Sequence, residues 1–209
     1  MIERITMCQG YLPKDGVYPR DRIVKLVRNF RTNQQLLKVP SELFYDGELK
    51  SCADPGKVNG MQEFSGLNKN IPLVIDATLG EATQVGSPSY SNLEEAMKVR
   101  DWVLKLRASG EDDRDIGVIT PYNAQVKLIK NLIGSDEVLV GTVETFQGRE
   151  KKTVIISTVR SLPSCTLPLG SYRPGFLCDK KRANVALTRC MALEIIVCNP
   201  FTLAQVRYL

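Results

Sequence analysis

Four apolar runs in this chain, DIGVIT (115–120), EVLVGTV (137–143), TVIISTV (153–159) and ALEIIVCN (192–199), read as strands covered on both faces. An earlier run, PLVIDAT (72–78), has the same character. Helical patterns stand between them. SYSNLEEAMKVRDWVLKLRASG (89–110) carries Ala96, Val99, Val103 and Leu106 on one stripe, with Ser91-x-x-Glu94 as a capping box and Gly110 as its stop. YNAQVKLIKNLIG (122–134) follows Pro121, read as the first turn of a helix that ends at Gly134. CDKKRANVALTRC (178–190) suits a short helix entered from a basic loop. Apolar strands alternating with helices predict an α/β fold, a parallel sheet flanked by helices on both faces. Ligands of such sheets sit beyond the carboxyl ends of the strands. The polar loop within VGTVETFQGREKK (140–152) lies at such an end.

Residues 1–20 hold Gly10, Pro13, Gly16 and Pro19 and read as a linker or N-terminal extension, so the domain is placed at 21–209. Ile23, Leu26, Val27 and Phe30 fall at helical spacing, and Pro40 is read as restarting the pattern. With 209 residues, 43% of them hydrophobic and 24% charged, the chain can bury a sizeable core. The net charge of +5 permits a nucleic-acid partner without requiring one. Six cysteines, at 8, 52, 165, 178, 190 and 198, form no CxxC pair, and histidine is absent. No metal site is expected from them, and serine–histidine triads are excluded. Unpaired cysteines fit a reducing compartment, and Cys198, inside an apolar run, reads as a buried thiol. No run is long and apolar enough to predict membrane insertion.

Four segments at strand ends or helix starts carry groups suited to phosphate chemistry: RNFRTN (28–33), ITPYNAQ (119–125), GTVETFQGRE (141–150) and KKRANVALTR (180–189). Arginine stays charged and forks onto phosphate oxygens, which suits Arg31 and Arg189 to charge developing on a transferred phosphoryl group. Each is read as following an apolar helical stretch that holds it rigid; a solvated surface charge is the alternative for either alone. Gly148 lets a backbone come close to a ligand. Thr120 and Thr142 offer hydroxyls and N–H groups to phosphates, Thr120 at a helix start, where a plain cap is the alternative.

In order and spacing, the four segments resemble the second RecA-like motor domain of superfamily 1 helicases, in the RNA-helicase branch that includes the nonsense-mediated decay helicase. FYDGELKSCADP (44–55) and STVRS…GFLCDKKRANVALTR…IIVCNP (157–200) look like the Moloney leukaemia virus 10-type, or Armitage, group. The resemblance implies a RecA-like fold and an ATP-dependent RNA helicase. Arg31 and Arg189 would reach the γ-phosphate across an interdomain cleft. Phe30 would stack on adenine, with a core phenylalanine as the alternative. Glu150 would accept a hydrogen bond from the ribose, Arg149 would face the phosphates, and Gln147 would brace the loop. Thr120, Tyr122, Asn123 and Thr142 would hold the backbone of single-stranded RNA. Asn33, where relatives often have His, and Cys190, where Ala is common, depart from the pattern without removing a charge.

No GxxxxGK[ST] run occurs, and no magnesium-binding carboxylate pair is identifiable. The resemblance places both in a first RecA-like domain upstream, which would hold ATP with Mg²⁺, so this half alone is expected to hydrolyse little ATP. It further implies 5′-to-3′ travel, work in RNA silencing with the piRNA pathway as the narrower case, RNA-silencing proteins as partners, and a cytoplasmic location in ribonucleoprotein granules. Two alternatives stay open: a non-catalytic RNA-binding or protein-interaction module on the same fold, and a DNA helicase of the same superfamily. An adaptor has no need of both Arg31 and Arg189.

Overall fold

The computed structural model describes residues 5–6, 8–12, 18–19, 21–61, 64, 71–86, 89–161 and 179–204. Pro13, Gly16, Cys165, Cys178 and most of the stretch GFLCD lie outside them. The strands are β1 (Arg28–Asn29), β2 (Lys50–Ser51), β3 (Leu73–Ala77), β4 (Thr83–Gln84), β5 (Tyr90–Ser91), β6 (Ile116–Ile119), β7 (Leu139–Gly141), β8 (Lys151–Ser157) and β9 (Cys190–Cys198). The helices are α1 (Gln34–Phe44), α2 (Pro55–Val58), α3 (Leu93–Ala108), α4 (Asn123–Ile133), α5 (Lys180–Leu187) and α6 (Pro200–Leu203).

The five apolar runs form one five-stranded sheet in the order β3-β9-β8-β6-β7, with every neighbouring pair parallel. Alternate residues of each strand point to opposite faces. On one face Ile116, Val118, Ile155, Leu193 and Ile195 pack against Ala96, Val99, Val103 and Leu106 of α3 and Ile129 of α4. On the other, Ile119, Val154 and Ile156 pack with Leu36 of α1 and Ala186 of α5. The stripe read from the sequence of α3 is thus its buried face. Gly110 and Gly134 leave α3 and α4 at φ 92° and 63°, left-handed values that favour glycine.

Other readings are corrected. Residues 23–27 form no helix, and Val24 and Leu26 are 77% and 86% exposed. The backbone there is used otherwise: Lys50 N–H donates to Val27 O (2.8 Å) and Cys52 N–H to Asn29 O (2.6 Å), joining β1 to β2 in parallel. Pro40 does not restart a helix but sits buried inside α1. Ser91 belongs to β5, and the cap of α3 is Asn92, whose Oδ1 accepts from Glu95 N–H at 3.1 Å. Pro121 lies before α4, which begins at Asn123.

The face under α1 and α5 carries Glu194 of β9, buried beside an apolar cavity of about 220 Å³ lined by Leu36, Pro40, Ile75, Ile156 and Ala186. Among the described residues its Oε1 has no hydrogen-bond partner. Burial pushes its carboxyl up to about 8 from an ordinary 4.5. A carboxyl raised on folding holds a proton that the unfolded chain has released, so its contribution to stability falls as pH rises from about 4.5 to 8. Glu194→Leu is therefore expected to stabilise the protein by about 1–3 kcal/mol at pH 8, the penalty of an unmet buried polar group. The gain should shrink toward pH 5. Urea unfolding at the two pH values checks this; a destabilised variant at pH 8 would contradict it.

Candidate functional site

Because the strands run in parallel, the sheet has an amino edge and a carboxyl edge, and the four motif segments divide between them. The polar loop 142–150 leaves β7 at the carboxyl edge and enters β8 at the amino edge. The expectation that the whole loop lies at the carboxyl ends is corrected on this point. To get from β7 to β8 the loop must pass β6, which lies between them. It does so with Phe146 fully buried against Gly117, where an added Cβ would lie 2.8 Å from Phe146 Cε1. Phe146, not the exposed Gln147, braces the loop. The sequence signal was available: Phe146 is the one aromatic residue in a polar stretch. Gly148 turns the loop at φ 75°, with nothing within 4 Å of an added Cβ. The left-handed backbone there favours glycine.

At the amino edge Arg31, Glu150 and Arg189 converge. Arg31 does not end a helix. It lies in a turn where Asn29 Oδ1 accepts from Arg31 N–H (2.9 Å) and Thr32 N–H (2.8 Å). Asn33 N–H then donates to Met191 O at 2.8 Å, fixing the turn to β9. Asn33 also caps α1 through Gln35 N–H (2.8 Å), and its amide donates to Asn59 Oδ1 (2.9 Å), so the departure at Asn33 is structurally satisfied. The Arg31 guanidinium donates from Nε to Glu150 Oε2 and from Nη1 to Thr188 O, the latter at 3.2 Å. Arg189 does follow a helix, α5. Its Nε donates to Val185 O (3.0 Å) and its Nη2 to Thr188 Oγ1 (3.0 Å). Two guanidiniums thus flank Thr188. Burial, and then the charge of Arg31, lower the Arg189 pKa from its ordinary value.

Phe30 is 70% exposed and is not a core residue. With Arg28, Asn29, Arg31 and Glu150 it lines an open cleft of about 360 Å³. Arg149 is not brought to this cleft; it lines a neighbouring depression with Lys130, Asp136 and Lys151. An exposed ring, two cations and a carboxylate around one cleft fit a nucleotide. Among the described residues no group of three or more His, Cys, Asp or Glu could hold a metal ion.

At the carboxyl edge Thr120 N–H donates to Gly141 O (3.1 Å), which sets Thr120 beside Thr142. Thr120 is fully buried, and its hydroxyl has no partner among the described residues. It is not the cap of α4; Tyr122 holds that position, with no side-chain cap. Thr142 is half-buried. The Glu144 carboxyl is held below its usual range by its own backbone N–H, with the Thr142 hydroxyl and Arg182 adding to this. Tyr122 is half-buried and Asn123 exposed.

A family model described as an AAA domain matches residues 3–200. RNA helicase Mov10l1 of Mus musculus is 39% identical over 219 residues, covering 98% of this chain and 18% of that protein. Putative helicase mov-10-B.1 of Danio rerio is 37% identical over 223 residues, covering 97% and 22%. Probable RNA helicase armi of Drosophila melanogaster is 33% identical over 206 residues, covering 92% and 17%. The chain therefore spans about a fifth of the length of the curated relatives it matches. The C-terminal domain of a possible DNA helicase from a Lactobacillus covers 86% of this chain and 95% of its own at 12% identity and a TM-score of 0.46, a likeness too distant to bear on function.

Proposed function

Because the chain belongs to the AAA domain family, as the second RecA-like domain of a superfamily 1 helicase of the Mov10 type, we propose that it works as the C-terminal half of an ATP-driven motor on single-stranded RNA. The observation that carries this reading is the meeting of Arg31, Arg189 and Glu150 at one sheet edge, from three separate segments. An adaptor has no need of both guanidiniums at this edge. In this proposal both supply positive charge to the γ-phosphate as it is transferred, Phe30 stacks on the adenine, and Glu150 accepts a ribose hydroxyl. Glu150 now accepts from Arg31, so nucleotide entry exchanges one of its donors for another. A first RecA-like domain of the longer protein would supply the phosphate-binding loop and hold Mg²⁺, which would neutralise charge at the phosphates. We assign 5′-to-3′ travel, work in RNA silencing including the piRNA pathway, and a cytoplasmic location to the same proposal.

The carboxyl edge carries the RNA side of the reading. Thr142, Tyr122 and Asn123 hold the backbone and leave the sequence unread, while Thr120, fully buried with its N–H given to Gly141 O, supports Thr142 and does not reach the strand. Thr142→Ala in the full-length protein is expected to weaken RNA binding several-fold, evenly across oligonucleotides of different sequence. Fluorescence anisotropy on a panel of RNAs checks it, and a changed sequence preference would contradict it. The motor reading itself is tested by steady-state ATPase of the full-length protein with single-stranded RNA and with DNA of the same sequence. Stimulation by RNA supports it. Stimulation by DNA alone favours the DNA-helicase alternative, and no ATPase with either favours the adaptor.

A further inference from the structure

Glu194 stands at the centre of β9, on the sheet face covered by α1 and α5. Its neighbours across the sheet are Leu73 of β3 and Val154 of β8, both apolar. The side chain is 3% exposed, and among the described residues nothing donates to its Oε1. Burial is what raises its carboxyl to about 8, with no charged group contributing. At neutral pH the carboxyl therefore keeps its proton and presents an O–H donor beside a C=O acceptor.

The cavity of about 220 Å³ at this carboxyl is walled by Leu36 and Pro40 of α1, Ala186 of α5, Ile75 of β3, Ile156 of β8 and Ile196 of β9. Its mouth lies toward the sheet edge formed by β3, where Ile75 and Val39 are 56% and 45% exposed. Two further polar residues reach the wall. Thr158 already gives its hydroxyl to Glu95 Oε1 (3.3 Å), and Gln35 is exposed. A water in this space would meet one buried polar group, whereas a buried water makes about three hydrogen bonds. An apolar body with one polar group suits the wall better. An apolar cavity of about 150 Å³ accepts benzene, so this one has room for a ring with a short substituent. Apolar walls with a single well-placed polar group are the usual build of a small-molecule site.

We propose that this cavity binds a small, mainly apolar molecule carrying one primary amide, whose N–H and C=O pair with the two oxygens of Glu194. Acid and amide match as donor to acceptor in both directions. The pair is neutral, so no charge is buried, as it would be with an amine. The rest of the ligand lies between α1, α5 and the sheet, where covering apolar surface favours binding. The cavity shares no lining residue with the cleft at Phe30 and Arg31, and the proposal is independent of the motor reading.

The test uses the full-length protein at pH 7, with benzamide as the amide probe and cumene as an apolar probe of similar size. Affinity is measured by ligand-observed NMR titration. Glu194→Leu, expected above to be a stable variant, should weaken benzamide binding about tenfold, the loss of a buried hydrogen-bonded pair. The same change should leave cumene binding equal or tighter. Glu194→Gln retains a donor and an acceptor and should bind benzamide within about threefold of the parent. Ala186→Leu fills part of the cavity and should weaken both probes. Should Glu194→Leu fail to fold, Glu194→Gln and Ala186→Leu decide together. A parent that does not bind benzamide overturns the proposal. So does benzamide binding that Glu194→Leu or Ala186→Leu leaves unchanged, since the probe would then sit elsewhere. Loss of benzamide binding in Glu194→Gln would overturn the pairing with an amide.

Discussion

Arg189→Ala in the full-length protein is expected to lower ATP turnover by a factor of about 10³ or more, the usual worth of an arginine finger. RNA affinity should stay near that of the parent, because Arg189 lies at the amino edge and the RNA residues at the carboxyl edge. The side chain is positioned by bonds to Val185 O and Thr188 Oγ1, at the end of α5. Its charge matters most as the γ-phosphate leaves, so the loss falls on turnover. Lysine should rescue poorly, since it places a point charge where a planar fork is held by two acceptors. Arg31→Ala should act similarly, and the double variant should be little worse than either single one, as for groups that work as a unit. Steady-state ATPase beside RNA anisotropy makes the measurement. Normal ATPase in Arg189→Ala would remove the role assigned to it and favour the adaptor.

Phe146→Ala is expected to cost about 3–5 kcal/mol of stability, in the range for deleting a buried aromatic ring. The ring is fully buried between the loop and β6, and no side chain on Gly117 could fill the space it leaves. Phe146→Leu should cost less, because part of the volume remains. Gly117→Ala approaches the same contact from below, driving a methyl to within 2.8 Å of Phe146 Cε1 and 2.9 Å of Lys151 Cγ. Chemical denaturation of the three variants tests the set. A cost below about 1 kcal/mol for Phe146→Ala would mean that the loop is held elsewhere.

The sheet was legible because its strands are apolar on both faces, and the α3 stripe because its four residues meet one such face. The stretch around Ile23 to Phe30 misled because helical spacing says nothing about whether a facing surface exists. There the backbone pairs with β2 instead. The caps slipped by one or two residues, since Asn92 and Ser91 are both good caps and only tertiary bonds choose between them. The site was legible in part through resemblance, which picked out Arg31, Glu150 and Arg189 as belonging together. Their contacts were not legible: Arg31 and Glu150 stand 119 residues apart in sequence. Spacing likewise could not tell that Arg149 turns toward α4 while its neighbour Glu150 turns toward Arg31.

The crossing of loop 142–150 over β6 has a mechanical consequence. Phe146 sits midway between Thr142 and Glu150, wedged where Gly117 leaves room. The segment is held by a strand at each end and by this ring at its centre, with Val143 buried in the same cluster. Close packing around the ring leaves little slack to absorb a push at either arm. The loop that joins the two edges of the sheet is in this way a stiff one.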